Sequence, residues 1–195
     1  IPSVMVRVPP SCYNGDRHLK HMGKRGGFME DQNGCYMATV GTLSHMTGVE
    51  IAEELKMRQE DPSESEYRSW RNSIPILVDV IHRAGLDELT LILEYTLPMR
   101  EERIDALLVG EERSTGKPLL LIIELKQWES IGSNEDGWES YVPVRVSRDK
   151  KRYEKRRHPV QQTLTYSKHL RMNHSSVTDG KMKVRCCQFL HNFAD

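Results

Sequence analysis

The feature that most constrains this sequence is an unbroken apolar run followed at once by alternating charge. Leu119–Ile123 contains only leucine and isoleucine, and Glu124-Leu125-Lys126 comes directly after it. Such a short, uniformly apolar run predicts a central strand that is buried on both faces of a sheet. Glu124 and Lys126 are two residues apart, so on a strand their side chains point to the same face.

A second strand is predicted at Arg103–Gly110, joined to the first by the polar loop 111–117. If the turn of this hairpin is centred between residues 114 and 115, Asp105 lies directly opposite Glu124, with Cβ atoms about 5 Å apart. A shift of one residue in the turn would remove this pairing.

Two carboxylates with so short a separation on a half-buried face would repel each other. A hard divalent cation resolves the repulsion, because Mg²⁺ takes carboxylate oxygens as ligands and keeps several waters. A metal held in this way activates water and binds a phosphoryl oxygen. Lys126 would orient the attacking water or stabilise negative charge that develops in the reaction. The simpler alternative is that Asp105, Glu124 and Lys126 form cross-strand ion pairs.

The remaining elements predict an α/β (α+β) architecture with helices on a sheet. A capping box at Ser63 and Glu66 begins a helix that should reach about residue 84, kinked or divided by Pro75. Further strands are expected at Leu89–Leu97 and Lys183–Phe193. A helix should begin at His158-Pro159 and end near residue 173.

Charge is balanced overall but distributed unevenly. The chain has 28 Lys and Arg against 28 Asp and Glu, which excludes a uniformly cationic surface. Residues 50–66 contain seven acids and two bases, whereas residues 145–157 contain eight bases and two acids. The basic segment lies between the strand that carries Lys126 and the next helix. It is interpreted as a phosphate-contacting arm, with a solvated linker as the alternative.

The absence of a signal-peptide pattern and of a long apolar stretch predicts a cytoplasmic protein with no membrane segment. The four cysteines form no Cys-x-x-Cys pair and are expected to be free thiols. Both ends suggest a fragment of a longer protein. Residues 1–60 are expected to form an N-terminal extension of unclear role, and residues 61–195 the core.

Ile104-Asp105 followed by Glu124-Leu125-Lys126 resembles the P-D…(D/E)-x-K signature of restriction-endonuclease-like nucleases, with Ile104 in place of the usual proline. Gln162-Thr163-Leu164-Thr165-Tyr166 resembles the Gln-x-x-x-Tyr motif of the RecB-like branch. Further segments resemble the N-terminal nuclease-like domain of bacterial proteins that carry a superfamily-1-type helicase domain. These are Ser69–Ser73, Glu94–Pro98, Glu124–Trp128 and His158–Gln162.

This resemblance implies a restriction-endonuclease-like mixed central sheet flanked by helices, and a Mg²⁺- or Mn²⁺-dependent nuclease that acts on DNA in preference to RNA. It implies a helicase domain after residue 195 and a role in DNA repair or phage defence. No ATP-binding Gly-x-x-x-x-Gly-Lys-(Ser/Thr) loop occurs in this chain.

The roles that the resemblance implies can be assigned residue by residue. Asp105 and Glu124 would ligate the metal, joined by Glu66 or else Glu64, for which helix capping is the alternative. Lys126 would assist the attack, and Gln162 would position water or substrate. The residues expected to contact nucleic acid are Arg148, Lys150, Lys151, Arg152, Lys155, Arg156, Arg157 and Tyr166.

Two other functions are compatible with the sequence. The first is a catalytically inactive nucleic-acid-binding or regulatory module of the same fold. The second is an interaction scaffold in which residues 50–66 and 145–157 dock on a partner or on a second copy of the chain.

Overall fold

A computed structural model describes residues 35–112, 114–132, 140–145 and 153–193 as two β-sheets and five helices. The strands are β1 (Tyr36–Thr39), β2 (Thr90–Thr96), β3 (Arg103–Glu112), β4 (Lys117–Lys126), β5 (Ser130–Ile131), β6 (Tyr141–Arg145), β7 (Glu154–Arg157) and β8 (Lys183–Leu190). The helices are α1 (Val40–Ser44), α2 (Gly48–Lys56), α3 (Glu64–Arg83), α4 (Pro159–Asn173) and α5 (Ser175–Thr178).

The larger sheet is mixed and has the strand order β1-β2-β3-β4-β8. Strands β1 to β4 pair antiparallel, and β8 pairs parallel to β4. The predicted α/β class with a mixed central sheet flanked by helices is therefore confirmed. Strands β5, β6 and β7 form a separate antiparallel sheet.

The apolar strand β4 is covered on both faces, as its composition predicts. On one face Ile123 joins a core formed with Trp70 and Ile74 of α3. On the other face Ile122 packs in a second core with Tyr166 and Leu170 of α4. The end of β4 that carries Glu124 and Lys126 consequently lies between two helical layers.

Part of the expected N-terminal extension belongs to this core. Strand β1 pairs with β2, and Val40, Leu43 and Ile51 are at most 1% exposed in the core that contains α3. The expected boundary near residue 60 therefore does not mark the start of the folded unit, which begins no later than Tyr36. Residues 1–34 lie outside the described residues.

The capping box that the sequence predicts at the start of α3 is confirmed at Ser63 and Glu66. Pro75 lies inside α3, and the helix runs through it as one element of 20 residues, so it is not divided there. Proline leaves the Arg71 carbonyl without its helical N–H partner. Gly48 approaches at this point, where a Cβ atom would lie 2.3 Å from the Arg71 carbonyl oxygen. This close packing of α2 on α3 requires glycine.

Two sequence expectations about environment can be compared with the described residues. None of the described helices is both long and apolar enough to cross a bilayer. Of the cysteines within the described ranges, Cys35, Cys186 and Cys187 form no disulfide bond. Cys12 lies outside those ranges.

Candidate active site

The register of the hairpin brings Asp105 and Glu124 together, as the sequence predicts. Ala106 pairs with Ile123 at the last position of the β3–β4 ladder, and the residue pair that follows is Asp105 and Glu124. At that point the Leu125 N–H donates to Asp105 Oδ2 at 2.7 Å. The Asp105 carboxylate is thus fixed to the backbone of β4 where the ladder ends.

Lys126 contacts both Glu124 and the helix behind it. Its Nζ donates to Glu124 Oε1 at 2.5 Å and lies 3.4 Å from Gln162 Oε1. The Lys126 side chain is 19% exposed, while the Glu124 side chain is 1% exposed. The simpler alternative was cross-strand ion pairing, but this ion pair joins two residues of β4 and occupies only one of the two Glu124 oxygens.

The second oxygen of Glu124 is buried without a hydrogen-bond partner. Such an atom costs about 1–3 kcal/mol relative to a satisfied one. Burial, followed by the nearby charge of Asp105, raises the pKa of Glu124 to about 7 despite the attraction of Lys126. Burial also raises the pKa of Asp105, against the opposing effect of the Leu125 N–H. Both carboxylates lie where a negative charge is poorly stabilised by the protein alone.

Gln162 and Tyr166 occupy one face of α4, one helical turn apart. Gln162 accepts from Lys126, and its Nε2 donates to the Tyr166 hydroxyl at 2.9 Å. Tyr166 is 3% exposed, and burial raises its pKa, so its hydroxyl stays protonated. Tyr166, which was expected to contact nucleic acid, supports Gln162 from inside the core.

Glu66 adopts the capping role that was the alternative to metal binding. Its Oε2 accepts from the Ser63 N–H at 2.9 Å and from the Ser63 hydroxyl at 2.7 Å, and its Oε1 accepts from Arg103. The hydrogen bond from Ser63 lowers the pKa of Glu66. Glu66 nevertheless lines the same cavity as Asp105, whereas Glu64 is exposed in the first turn of α3.

A third buried carboxylate, Glu94 on β2, was not predicted as a site residue. The pairs Leu93–Ala106 and Tyr95–Ile104 bracket it, so Glu94 lies beside Asp105 on the neighbouring strand. Its φ of 55° is unusual for a residue other than glycine and costs about 1–3 kcal/mol.

The surroundings of Glu94 favour its protonated form. Burial, followed by the charge of Asp105, raises the pKa of Glu94 to about 8. Arg103, whose Nε lies 3.6 Å from Glu94 Oε2, and a hydrogen bond from Trp70 oppose this increase. The sequence signal was a single acid inside the apolar strand segment 89–97, on the strand next to Asp105.

Two adjoining cavities of about 500 Å³ each open at this site. The first is lined by residues that include Glu94, Asp105 and Tyr166. The second is lined by residues that include Lys126 and Trp128. Ser69, Arg157 and Gln162 line both cavities, and we call the two cavities together the cleft.

The predicted basic arm is described only in part. Lys155, Arg156 and Arg157 belong to β7, and both arginines line the cleft. Arg157 Nη2 lies 3.3 Å from Thr165 Oγ1, and the positive charge of Arg157 lowers the pKa of Glu124. The other predicted contacts, Arg148, Lys150, Lys151 and Arg152, lie outside the described residues.

The donor set at the site suits a hard cation, because carboxylate oxygens are the ligands that Mg²⁺ and Mn²⁺ take in proteins. Asp105 and Glu124 provide these oxygens, and Glu124 Oε2 has no other partner. Among the described residues, no three His, Cys, Asp or Glu side chains are grouped closely enough to hold a metal ion. Two carboxylates completed by water and a substrate phosphate are sufficient for Mg²⁺.

Comparison of the chain with protein-family models, with curated protein sequences and with solved structures found no match. The side chains themselves therefore carry the functional conclusion. Asp105, Lys126, Gln162 and Tyr166, which come from three separate elements, line this cleft, and Glu124 is buried behind it on Lys126.

Proposed function

We propose that this chain is a nuclease domain of the restriction-endonuclease-like type that hydrolyses phosphodiester bonds in DNA with Mg²⁺ or Mn²⁺. The observation that carries the proposal is the buried Glu124 carboxylate, which has one oxygen on Lys126 and the other without a partner beside Asp105. A structural ion pair alone does not explain why two acids are held together in the core, since one acid would suffice to neutralise Lys126.

Asp105 and Glu124 are the residues that would hold the cation. When bound, the cation supplies Lewis acidity and lowers the pKa of a coordinated water. Asp105 is already oriented by the Leu125 N–H, so little rearrangement of its carboxylate is needed. Burial raises the pKa of both acids, so a bound cation would stabilise their ionised forms.

Lys126 supplies a positive charge within the same group. Its Nζ lies between Glu124 and Gln162, so the ammonium group is held in place from two sides. Preoriented charge of this kind stabilises negative charge that develops on a phosphate during attack. Gln162 acts as a positioning residue for Lys126, and Tyr166 in turn positions Gln162.

Arg156 and Arg157 of β7 line the cleft together with Ser65 and Ser69 of α3. Guanidinium groups bind phosphate well because their planar donors match its oxygens. These arginines would hold the DNA backbone across the site, a contact that positions the substrate without reading its sequence. A helicase domain in the same protein is a further part of the proposal, which rests only on the resemblance of the four segments named above.

The proposal is tested by incubating the purified chain with labelled single-stranded, duplex and forked DNA, each with Mg²⁺, Mn²⁺ or EDTA. We expect cleavage of at least one substrate with either metal and none with EDTA, because the acids require a cation to act on phosphate. DNA binding that survives EDTA, with no cleavage in either metal, would contradict the proposal and favour the inactive binding module.

A further inference from the structure

The small sheet β5–β6–β7 has one apolar face and one open face. On the apolar face Val142 and Val144 are buried against Trp128 and Leu190. Residues alternate between faces along a strand, so Tyr141, Pro143 and Arg145 of β6 share the opposite face. Their cross-strand neighbours on β7 include Arg157, opposite Tyr141, and Lys155, opposite Pro143. We call this open face the tyrosine face, and it also includes Tyr153.

Two tyrosines on this face have about half of their surface exposed. Tyr141 and Tyr153 are 48% and 49% exposed. Each ring has a cation close to it: Lys155 Nζ lies 5.6 Å from the centre of the Tyr141 ring, and Arg145 Cζ lies 5.8 Å from that of Tyr153. Aromatic rings and cations therefore alternate across the surface.

The Tyr153 ring packs beside Gly132, which follows β5, and Pro143 of β6. A Cβ atom on Gly132 would lie 3.2 Å from the Tyr153 ring and 3.2 Å from Pro143, so the ring occupies the space that the glycine leaves open. A ring held in this way is oriented before any ligand arrives. The cost in conformational entropy of stacking a flat ligand on it is correspondingly small.

The tyrosine face is positively charged and continuous with the proposed active site. Its described residues include Arg145, Lys155 and Arg157 but neither Asp nor Glu. Arg157, which pairs with Tyr141 at one end of the face, also lines both cavities. A polyanion that lies along the tyrosine face would therefore lead directly into the cleft.

We infer that the tyrosine face binds a single-stranded segment of the DNA substrate, with bases stacked on Tyr141 and Tyr153 and phosphates contacted by the cations between them. Exposed aromatic rings interleaved with positive charge are the arrangement that binds single strands, because every unpaired base offers a flat ring face. A duplex keeps its bases stacked inside the helix and offers no unpaired base to the tyrosine rings. The inference rests on the proposed function, because it assigns the tyrosine face to the substrate of that site.

The test measures the affinity of a fluorescent oligo-dT strand and of a blunt duplex by anisotropy in EDTA, where no cleavage occurs. Stacking on one aromatic side chain is worth about tenfold in affinity or more. We expect Tyr141→Ala and Tyr153→Ala each to weaken binding of the single strand about tenfold, and the double variant more. Duplex affinity should change less than twofold in all three variants. Tyr141→Phe and Tyr153→Phe should bind as the wild type does, because they keep the ring.

Phe193→Ala is the matched control, because Phe193 is an exposed aromatic residue (42%) outside the small sheet. Equal loss of affinity in Phe193→Ala, or unchanged single-strand binding in the double tyrosine variant, would overturn the inference. So would failure of the wild type to bind the single strand. If the double tyrosine variant binds the single strand as the wild type does and still cleaves DNA, this inference is refuted and the proposed function is not. Tyrosine-dependent binding without cleavage would instead refute the nuclease.

Discussion

Lys126→Met should reduce the rate of metal-dependent DNA cleavage by about 10²–10³-fold, the usual loss when one preoriented group that stabilises the transition state is removed. Lys126 Nζ lies 2.5 Å from Glu124 Oε1 and 3.4 Å from Gln162 Oε1, so its charge is held beside the proposed metal ligand. Methionine keeps most of the volume of the side chain and removes the charge together with the hydrogen bonds to Glu124 and Gln162. The measurement is the single-turnover cleavage rate at saturating Mg²⁺.

The matched control for this prediction is Lys181→Met. Lys181 forms an ion pair with Asp179 at a largely exposed position that lines neither cavity. The Lys181→Met protein should cleave DNA at the wild-type rate. Binding of Mn²⁺, followed by the proton relaxation of water, should persist in Lys126→Met because both carboxylates are retained. A Lys126→Met rate within threefold of the wild type would exclude Lys126 from the reaction.

Glu124→Gln should abolish cleavage and yet make the metal-free protein more stable. Glutamine keeps an oxygen to accept from Lys126 but removes the charge that burial and Asp105 disfavour. A buried polar atom without a hydrogen-bond partner lowers the free energy of unfolding by about 1–3 kcal/mol. Each kcal/mol changes the melting temperature of a chain of this size by about 2–4 °C. We expect a rise of several degrees at pH 8, measured by calorimetry in EDTA.

The gain in stability depends on pH in a defined direction. The pKa of Glu124 is about 7 in the folded protein and 4.5 as the ordinary value. Between these values the folded state holds a proton that the unfolded state does not, so the wild type loses stability as the pH rises through this range. Glutamine does not titrate. The difference in melting temperature between Glu124→Gln and the wild type should therefore be small near pH 4.5 and largest above pH 7.

Added Mg²⁺ should stabilise the wild type more than it stabilises Glu124→Gln. It should raise the melting temperature of the wild type at pH 8, because a ligand that binds only the folded state stabilises it. The same addition should change that of Glu124→Gln little. A Glu124→Gln protein that is less stable than the wild type at pH 8 in EDTA would show that Glu124 serves the fold through Lys126 and not the metal.

The centre of the site was predictable from the sequence because local rules determine it. A uniformly apolar strand, a short polar loop and alternation of side chains placed Asp105 opposite Glu124, and the register of β3 and β4 confirms this. Pro159 and the one-turn spacing of Gln162 and Tyr166 likewise placed both side chains on one face of α4.

What the sequence did not predict depends on contacts between distant segments. Glu94 joins the site only because β2 pairs with β3, and its positive φ cannot be read from residue types. Strand β1 has four residues, too few for a periodic pattern, so its place at the edge of the sheet was missed. The sequence alone left open whether Glu66 caps the helix or binds the metal. In the structure Ser63 of the capping box and the more distant Arg103 together occupy both of its carboxylate oxygens.

The central claim is that Asp105 and Glu124 form the centre of a metal-dependent nuclease. It is tested most directly by comparing DNA cleavage by the wild type and by Asp105→Asn, purified identically and assayed with Mg²⁺ and with EDTA. Asparagine keeps the shape of the side chain and an oxygen to accept from the Leu125 N–H. We predict cleavage by the wild type with Mg²⁺ only, and none by Asp105→Asn at the same melting temperature or above. Equal cleavage by the two proteins, or cleavage that persists in EDTA, would contradict the claim.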